Sequence, residues 1–297
     1  MTNSLLALGL GALALAFDAG AQTASRGGSK AARTQDVYVS VLGAKDAPVT
    51  GLTAADFVIR EDGVAREVLK AEPATDSMQI VLLVDDSQAA TDAVQPTREG
   101  LTAFIDKLQG RAEIGIVTIG DRATTLVPPT TDSSALNKGV NRIFARSGAG
   151  AYLLDAIMDV SRGFEQRQAT RPVIVALTME GIEFSNLQHD TVLTQLAASG
   201  ASLHVLAVGT PSSSMADEMR NRNMVLAEGT ARTGGRRDQV LTPSGIAEAL
   251  PRVAGELLNQ YKVTYSRPET LIPPEKIQAT VSRPGVTVRA RTRTSKR

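Results

Sequence analysis

The sequence has no cysteine, no tryptophan and only two histidines, and each shortage removes a class of chemistry. Without cysteine there can be no disulfide scaffold, thiolate zinc site, iron–sulfur cluster or cysteine nucleophile. The redox state of the compartment is therefore not legible from thiols. His189 and His204 leave little room for a histidine-rich metal centre or a histidine-based triad. His204 lies in an apolar run, residues 202–208, and reads as a core or sheet-face residue. Aromatic residues make up 3% of the chain, poor material for a base-stacking surface. The 32 Lys and Arg nearly cancel the 31 Asp and Glu, so no global field favours nucleic acid as a partner. His-Glu-x-x-His, Gly-x-Ser-x-Gly and Gly-x-Gly-x-x-Gly patterns are also missing. The glycines at 147–150 and 233–235 are not followed by Lys-Ser or Lys-Thr and read as tight turns. Ser185 and His189 lack a third orienting group and read as residues that open a helix, so an enzyme is not expected.

What remains is ordinary globular material, with 297 residues, 42% hydrophobic and 21% charged, enough to bury a sizeable core. Residues 5–17 form an unbroken run of 13 apolar or glycine residues, shorter than the roughly 20 that span a bilayer. Ala19-Gly20-Ala21 follows, placing small residues where a signal peptidase reads, with cleavage expected before Gln22. Residues 1–21 thus read as a signal peptide and the protein as exported, periplasmic or extracellular. Met1 to Ser4 carries no Lys or Arg, and an uncleaved membrane tether is the alternative; membrane contact is expected only in that case. Residues 22–35 are small, polar and basic, a flexible leader, and order is expected to begin near Asp36.

Hydrophobic periodicity then changes twice. Residues 37–41 and 57–60 alternate, separated by a turn at 47–51 and followed by the turn signal Glu61-Asp62-Gly63, which indicates an N-terminal β segment over 36–75. From 76 to 259 short apolar runs at 80–84, 114–119, 173–177 and 203–208 alternate with helical faces. The faces are Leu101, Phe104, Ile105 and Leu108; Leu153, Ile157, Val160 and Phe164; and Ile246, Leu250, Val253 and Leu257. Pro251 must kink or open the last of these helices. Residues 260–297 return to strand patterns at 261–265, 277–281 and 286–291, ending in a basic tail. Lone strands leave their backbone groups unpaired, so the late strands are expected to pair with the early ones around Val37 and Phe57. The α/β region would then be inserted in a discontinuous β unit.

The first α/β strand runs into Val84-Asp85-Asp86-Ser87-Gln88-Ala89, at the carboxyl end where open α/β sheets place their ligands. Here the chain resembles the von Willebrand factor A domain, whose metal-ion-dependent adhesion site begins Asp-x-Ser-x-Ser. Gly148-Ala149-Gly150-Ala151-Tyr152-Leu153-Leu154-Asp155-Ala156-Ile157 is similar to the second motif of that family. Pro172-Val-Ile-Val-Ala-Leu-Thr-Met179-Glu180-Gly181 is similar to the third. The flanks resemble a bacterial secreted subgroup through Gly51-Leu-Thr-Ala-Ala-Asp-Phe57, Glu61-Asp-Gly63, Thr233-Gly-Gly-Arg236 and Gln260-Tyr261, so the likeness covers about residues 36–293.

The resemblance implies a three-layer α/β/α domain with a mostly parallel sheet, and non-enzymatic adhesion or protein–protein interaction. It maps the metal ligands to Asp85 and Ser87, but Ala89, Ala151 and Met179 stand where three further oxygen ligands are expected. A hard cation such as Mg²⁺ takes about six oxygens, so metal-independent recognition is expected, with no cofactor and a protein partner. The alternative is divalent-metal-dependent ligand binding through a rearranged site at Asp85, Ser87 and Glu180, with Asp86 nearby. Asp85 and Ser87 could equally cap the following turn. In the tail, Arg289, Arg291 and Arg293 share one strand face, with Arg283, Lys296 and Arg297 nearby. A solvated, aggregation-resistant edge is expected there, with contact to an acidic partner or anionic surface as the alternative.

Overall fold

In the computed structural model, residues 33–211, 216–269 and 272–294 are described. The expected signal peptide, most of the leader, and Lys296 and Arg297 lie outside the described residues. The N-terminal β segment contains β1 (Arg33–Leu42), β2 (Phe57–Glu61), β3 (Val64–Arg66) and β4 (Val68–Pro73). The α/β region follows in the order β5 (Met78–Val84), α1 (Val94–Leu108), β6 (Ala112–Thr118), β7 (Thr124–Thr130), α2 (Ser133–Val140), α3 (Leu153–Gln166) and β8 (Pro172–Met179). It continues through α4 (His189–Ser199), β9 (Ser202–Val208), α5 (Asp217–Met224), a π-helical turn at Val225–Gly229, α6 (Thr230–Thr233), β10 (Arg237–Val240) and α7 (Ile246–Leu258). The C-terminal strands are β11 (Tyr261–Arg267), β12 (Ile277–Val281) and β13 (Thr287–Ala290).

The central sheet has the order β10-β9-β8-β5-β6-β7, parallel throughout except for the antiparallel edge strand β7. Its inner strands are apolar on both faces because helices cover both faces. Ile80, Leu82 and Val84 of β5 point into one core with Val173, Val175 and Leu177 of β8, under α1 and α7. Val81, Leu83, Ile174 and Ala176 point into the other, under α3 and α4. All three helical faces read from the sequence are buried there except Val160, which is half-buried. Gly100 lets α1 and α7 approach closely, since a Cβ there would lie 3.0 Å from the Ile246 carbonyl oxygen. Pro251 is accommodated inside α7.

The late strands do pair with the early ones. β1 runs antiparallel to β11, with Val37 opposite Val263, and to β13, with Val41 opposite Val288. β12 pairs with β2, with Ala279 opposite Ile59. Two small sheets result, ordered β13-β1-β11-β4 and β12-β2-β3, around a shared core that includes Val37, Ile59 and Val263. Pairing starts at Arg33 opposite Arg267, earlier than Asp36, because ladder bonds use the backbone whatever the side chain. Asp62 and Gly63 both adopt positive φ at the tip between β2 and β3, as a tight hairpin requires. Glu61, read only as part of that turn, is a fully buried anchor that accepts hydrogen bonds from Tyr265 at 2.7 Å, Arg66 at 3.0 Å and Arg267.

Buried arginines join the α/β domain to the β unit. Arg171 donates to the carbonyls of Asp76 (3.0 Å) and Leu257 (2.8 Å) and to Gln260 (2.9 Å), and its guanidinium lies over the Tyr38 ring. Arg236 reaches Asp46 of the β unit at 2.6 Å, Asp238 at 2.6 Å and Glu256 of α7 at 3.5 Å. Arg289 closes the network on Glu256 at 3.0 Å. The expected solvated edge is therefore corrected for Arg289 and Arg291, while Arg293 and Arg283 are exposed. Arg289 pairs with Glu256, Arg291 donates to the Gly200 carbonyl at 2.6 Å, and Arg293 faces Glu275 at 3.5 Å. The first two turn onto the α/β domain because acceptors stand there. Arg236→Met removes one of the two guanidinium groups on buried Glu256 and the partner of half-buried Asp238, and is expected to cost about 3 kcal/mol in urea denaturation of the full chain; a cost under about 1 kcal/mol would contradict the network's role.

Candidate functional site

The crevice at the carboxyl end of the central sheet is built by the loops after β5, β6 and β8 and by the segment before α3. Asp85, Asp86 and Ser87 lie there, all buried. The Asp85 carboxylate accepts from the Ser87 amide (3.0 Å) on one oxygen and from the Met179 amide (2.8 Å) on the other, with the Thr178 hydroxyl 3.5 Å away. It thus closes its own turn and ties the end of β5 to the end of β8. Asp86 accepts from the Gly120 amide at 2.6 Å and from Arg146 Nε at 2.8 Å. Ala89 is exposed and lies against Gly181, where an added Cβ would come within 2.8 Å of the Ala89 methyl. Met179 packs its side chain into the core, and Ala151 is also buried. Glu180 turns its carboxylate toward Arg222, 3.4 Å away.

These residues do not fit a hexacoordinate cation. Each Asp85 oxygen already accepts an amide, Asp86 and Glu180 face guanidinium groups, and three of the expected ligand positions carry no side-chain oxygen. Among the described residues no cluster of three His, Asp or Glu side chains is arranged to hold a metal ion.

The segment before α3 and the loop after β8 are zipped together. Ala151 donates to the Ile182 carbonyl at 2.9 Å, and Phe184 donates to the Ala151 carbonyl at 2.8 Å. The first amides of α3 are then capped from that loop, Leu153 by the Glu183 carboxylate (3.1 Å) and Asp155 by the Ser185 hydroxyl (3.1 Å). Ser185 therefore serves the opening of α3, while His189 begins α4 and meets Asn221 at 2.9 Å. His204 is fully buried on β9, and burial pushes its pKa down to about 4, so it stays neutral as a core residue.

Three functional features were not visible in the sequence. Arg222 and Arg146, the crevice cations, sit in polar stretches that resemble surface. Glu183 has one oxygen without a hydrogen-bond partner, and burial pushes its pKa from 4.5 up to about 7, partly offset by bonds from Ser185. Beside the crevice Ile182 (66% exposed) and Phe184 (46%) project apolar side chains to solvent, while the exposed Phe144 ring is covered by the Arg98 guanidinium, 4.4 Å from its centre. Phe184 is seated over Gly150 and against the Tyr152 ring at 5.8 Å, and a groove of about 500 Å³ runs beside it past Glu180 and Met219.

Because the folded chain holds the Glu183 proton up to about pH 7 and the unfolded chain only to 4.5, the folded form binds more protons between those values. Stability contributed by this group falls as pH rises through that window. Glu183→Gln keeps an acceptor for Leu153 and Ser185 without the charge. It is expected to match the wild type near pH 4 and exceed it at pH 8 by about 3 kcal/mol in chemical denaturation. A wild type that is the more stable at pH 8 would refute this.

Comparison with known proteins agrees with this architecture. A family model described as von Willebrand factor type A domain matches residues 80–180. The UPF0353 protein of Mycolicibacterium paratuberculosis is 28% identical over 150 residues, 45% of this chain and 44% of that protein. The chain thus spans less than half the length of this curated relative. Among solved structures, a von Willebrand factor type A protein from Catenulispora acidiphila shares the fold over 90% of this chain and 75% of its own, with a TM-score of 0.53 and 12% identity. Proximal thread matrix protein 1 of the mussel byssus, with a zinc-occupied MIDAS motif, shares it over 67% of this chain and 49% of its own, with a TM-score of 0.51 and 12% identity. The matched segment carries most of β5, all of β8, the loops after β5 and β6 and the segment before α3, and ends at Glu180 where the loop after β8 begins; the chain contains a von Willebrand factor type A domain.

Proposed function

We propose that this chain is a non-enzymatic, exported protein-interaction module that captures a protein partner at the carboxyl-end crevice without a divalent cation. The observation that carries this reading is the pair of exposed apolar side chains, Ile182 and Phe184, beside the groove on a loop held by buried hydrogen bonds. Soluble domains rarely leave large apolar side chains grouped on one surface unless something covers them. Side chains already fixed by their neighbours lose little entropy when a partner docks. Export is supported by the apolar run at 5–17 followed by Ala19-Gly20-Ala21. A non-enzymatic role is supported by the use of the buried polar groups. Asp85, Asp86, Glu183 and Ser185 each accept backbone amides and so hold loops.

The test is affinity capture from an envelope or secreted fraction by the immobilised full chain in the presence of chelator, quantified against an Ile182→Ser/Phe184→Ser variant that melts like the wild type. Loss of two central apolar anchors is expected to reduce capture of the specific partner by on the order of 30-fold. Capture that survives the double substitution, or that chelator abolishes in the wild type, would overturn the reading.

A further inference from the structure

We propose that the buried guanidinium of Arg222 does in this crevice what a divalent cation would do in a metal-bearing one, holding the loop ends together from inside. The inference rests on the reading of the crevice as a metal-free interaction site. Arg222 is the largest fully buried side chain among the described residues, 1% exposed. It comes from α5, a polar helix of which only Met219 and Arg222 are buried. A charge removed from water persists only where partners compensate it, so its contacts define its task.

Those contacts lie at the carboxyl end of β8. Nη2 donates to the Thr178 hydroxyl at 3.2 Å and to the Met179 carbonyl at 3.2 Å, while Nη1 faces Glu180 at 3.4 Å and Asn223 at 3.2 Å. The Thr178 hydroxyl in turn stands 3.5 Å from Asp85, so one hydroxyl separates the guanidinium from the first-motif carboxylate. Met179 occupies the position where a third-loop acid is expected. Its side chain lies in the core, and its backbone serves both charges, the amide to Asp85 and the carbonyl to Arg222. Arg146 plays the matching part for Asp86 on the other side of the crevice. A guanidinium offers five donors in a fixed fork and can gather several oxygens at once, as a cation does. A divalent ion would have to enter beside guanidinium groups that already pair with Glu180 and Asp86.

The experiment is Mn²⁺ titration of the full chain by electron paramagnetic resonance, together with thermal melting in millimolar Mg²⁺ against chelator. The wild type is expected to bind no Mn²⁺ and to melt at the same temperature in both. Arg222→Met is expected to lower Tm by about 10 °C, and Arg222→Lys, which keeps the charge but not the fork, by less. Mn²⁺ binding by the wild type, or an Arg222→Met chain that melts like the wild type, overturns the inference. Should Arg222→Met fail to fold, the wild-type titration and the Arg222→Lys melt decide it. Wild-type Mn²⁺ binding would leave partner capture at Ile182 and Phe184 to stand or fall by its own variant, so the two failures are distinguishable.

Discussion

The upper half of the α/β domain depends on one buried dipeptide. After Val84 and Leu177, the last paired residues of β5 and β8, the two chains must part, and their backbone groups lose the ladder. Asp85 supplies the replacement by accepting the Met179 amide across the gap and the Ser87 amide within its own turn. Asp86 extends the junction sideways to Gly120 after β6 and to Arg146 before α3. Removing either carboxylate would strand buried donors, which costs more than the bond itself contributes. Charged side chains are therefore buried here because they complete the backbone's hydrogen bonding where the sheet stops.

From that junction the arrangement of the surrounding loops follows. The segment at Ala151 is bridged both to Gly120 and to Glu183, which ties the loops to one another. Glu183 and Ser185 cap α3 from the loop after β8, which fixes the residues on either side of them. Ile182 and Phe184 alternate with Glu183 along this extended segment, so while Glu183 turns inward its neighbours turn out. Gly150 completes the arrangement, since any side chain there would collide with the Phe184 ring. Exposure of apolar groups is thus a consequence of how the loop is held.

A second pair of buried arginines couples this domain to the discontinuous β unit. Arg171 and Arg236 lie near the points where the chain enters and leaves the α/β domain and bind acceptors from both parts. Exposed pairs such as Lys70 with Glu72 contribute little by comparison, because water already solvates both partners. Gln260, between α7 and β11, adds a bond to Ser40 of β1, which joins the return of the chain to its start.

The layered fold was legible because burial on two faces leaves a local trace. The apolar runs at 80–84, 173–177 and 203–208 and the faces through Leu101, Leu153 and Ile246 repeat with the periods of strand and helix. The pairing of late with early strands followed from the need to satisfy backbone groups. The short strands β3, β4, β7 and β10 escaped notice because half-exposed edges carry no such pattern. In the crevice, the sequence located Asp85 and Ser87 and the losses at Ala89, Ala151 and Met179, since these lie within contiguous motifs. The sequence by itself thus determined the layers, the strand ends and that positions 89, 151 and 179 carry no side-chain oxygen. Only the tertiary structure decided which charges meet in the crevice. Arg222 and Arg146 reach the carboxylates from 42 and 60 residues away, and a charge in a polar stretch acquires its partner only when distant segments pack together.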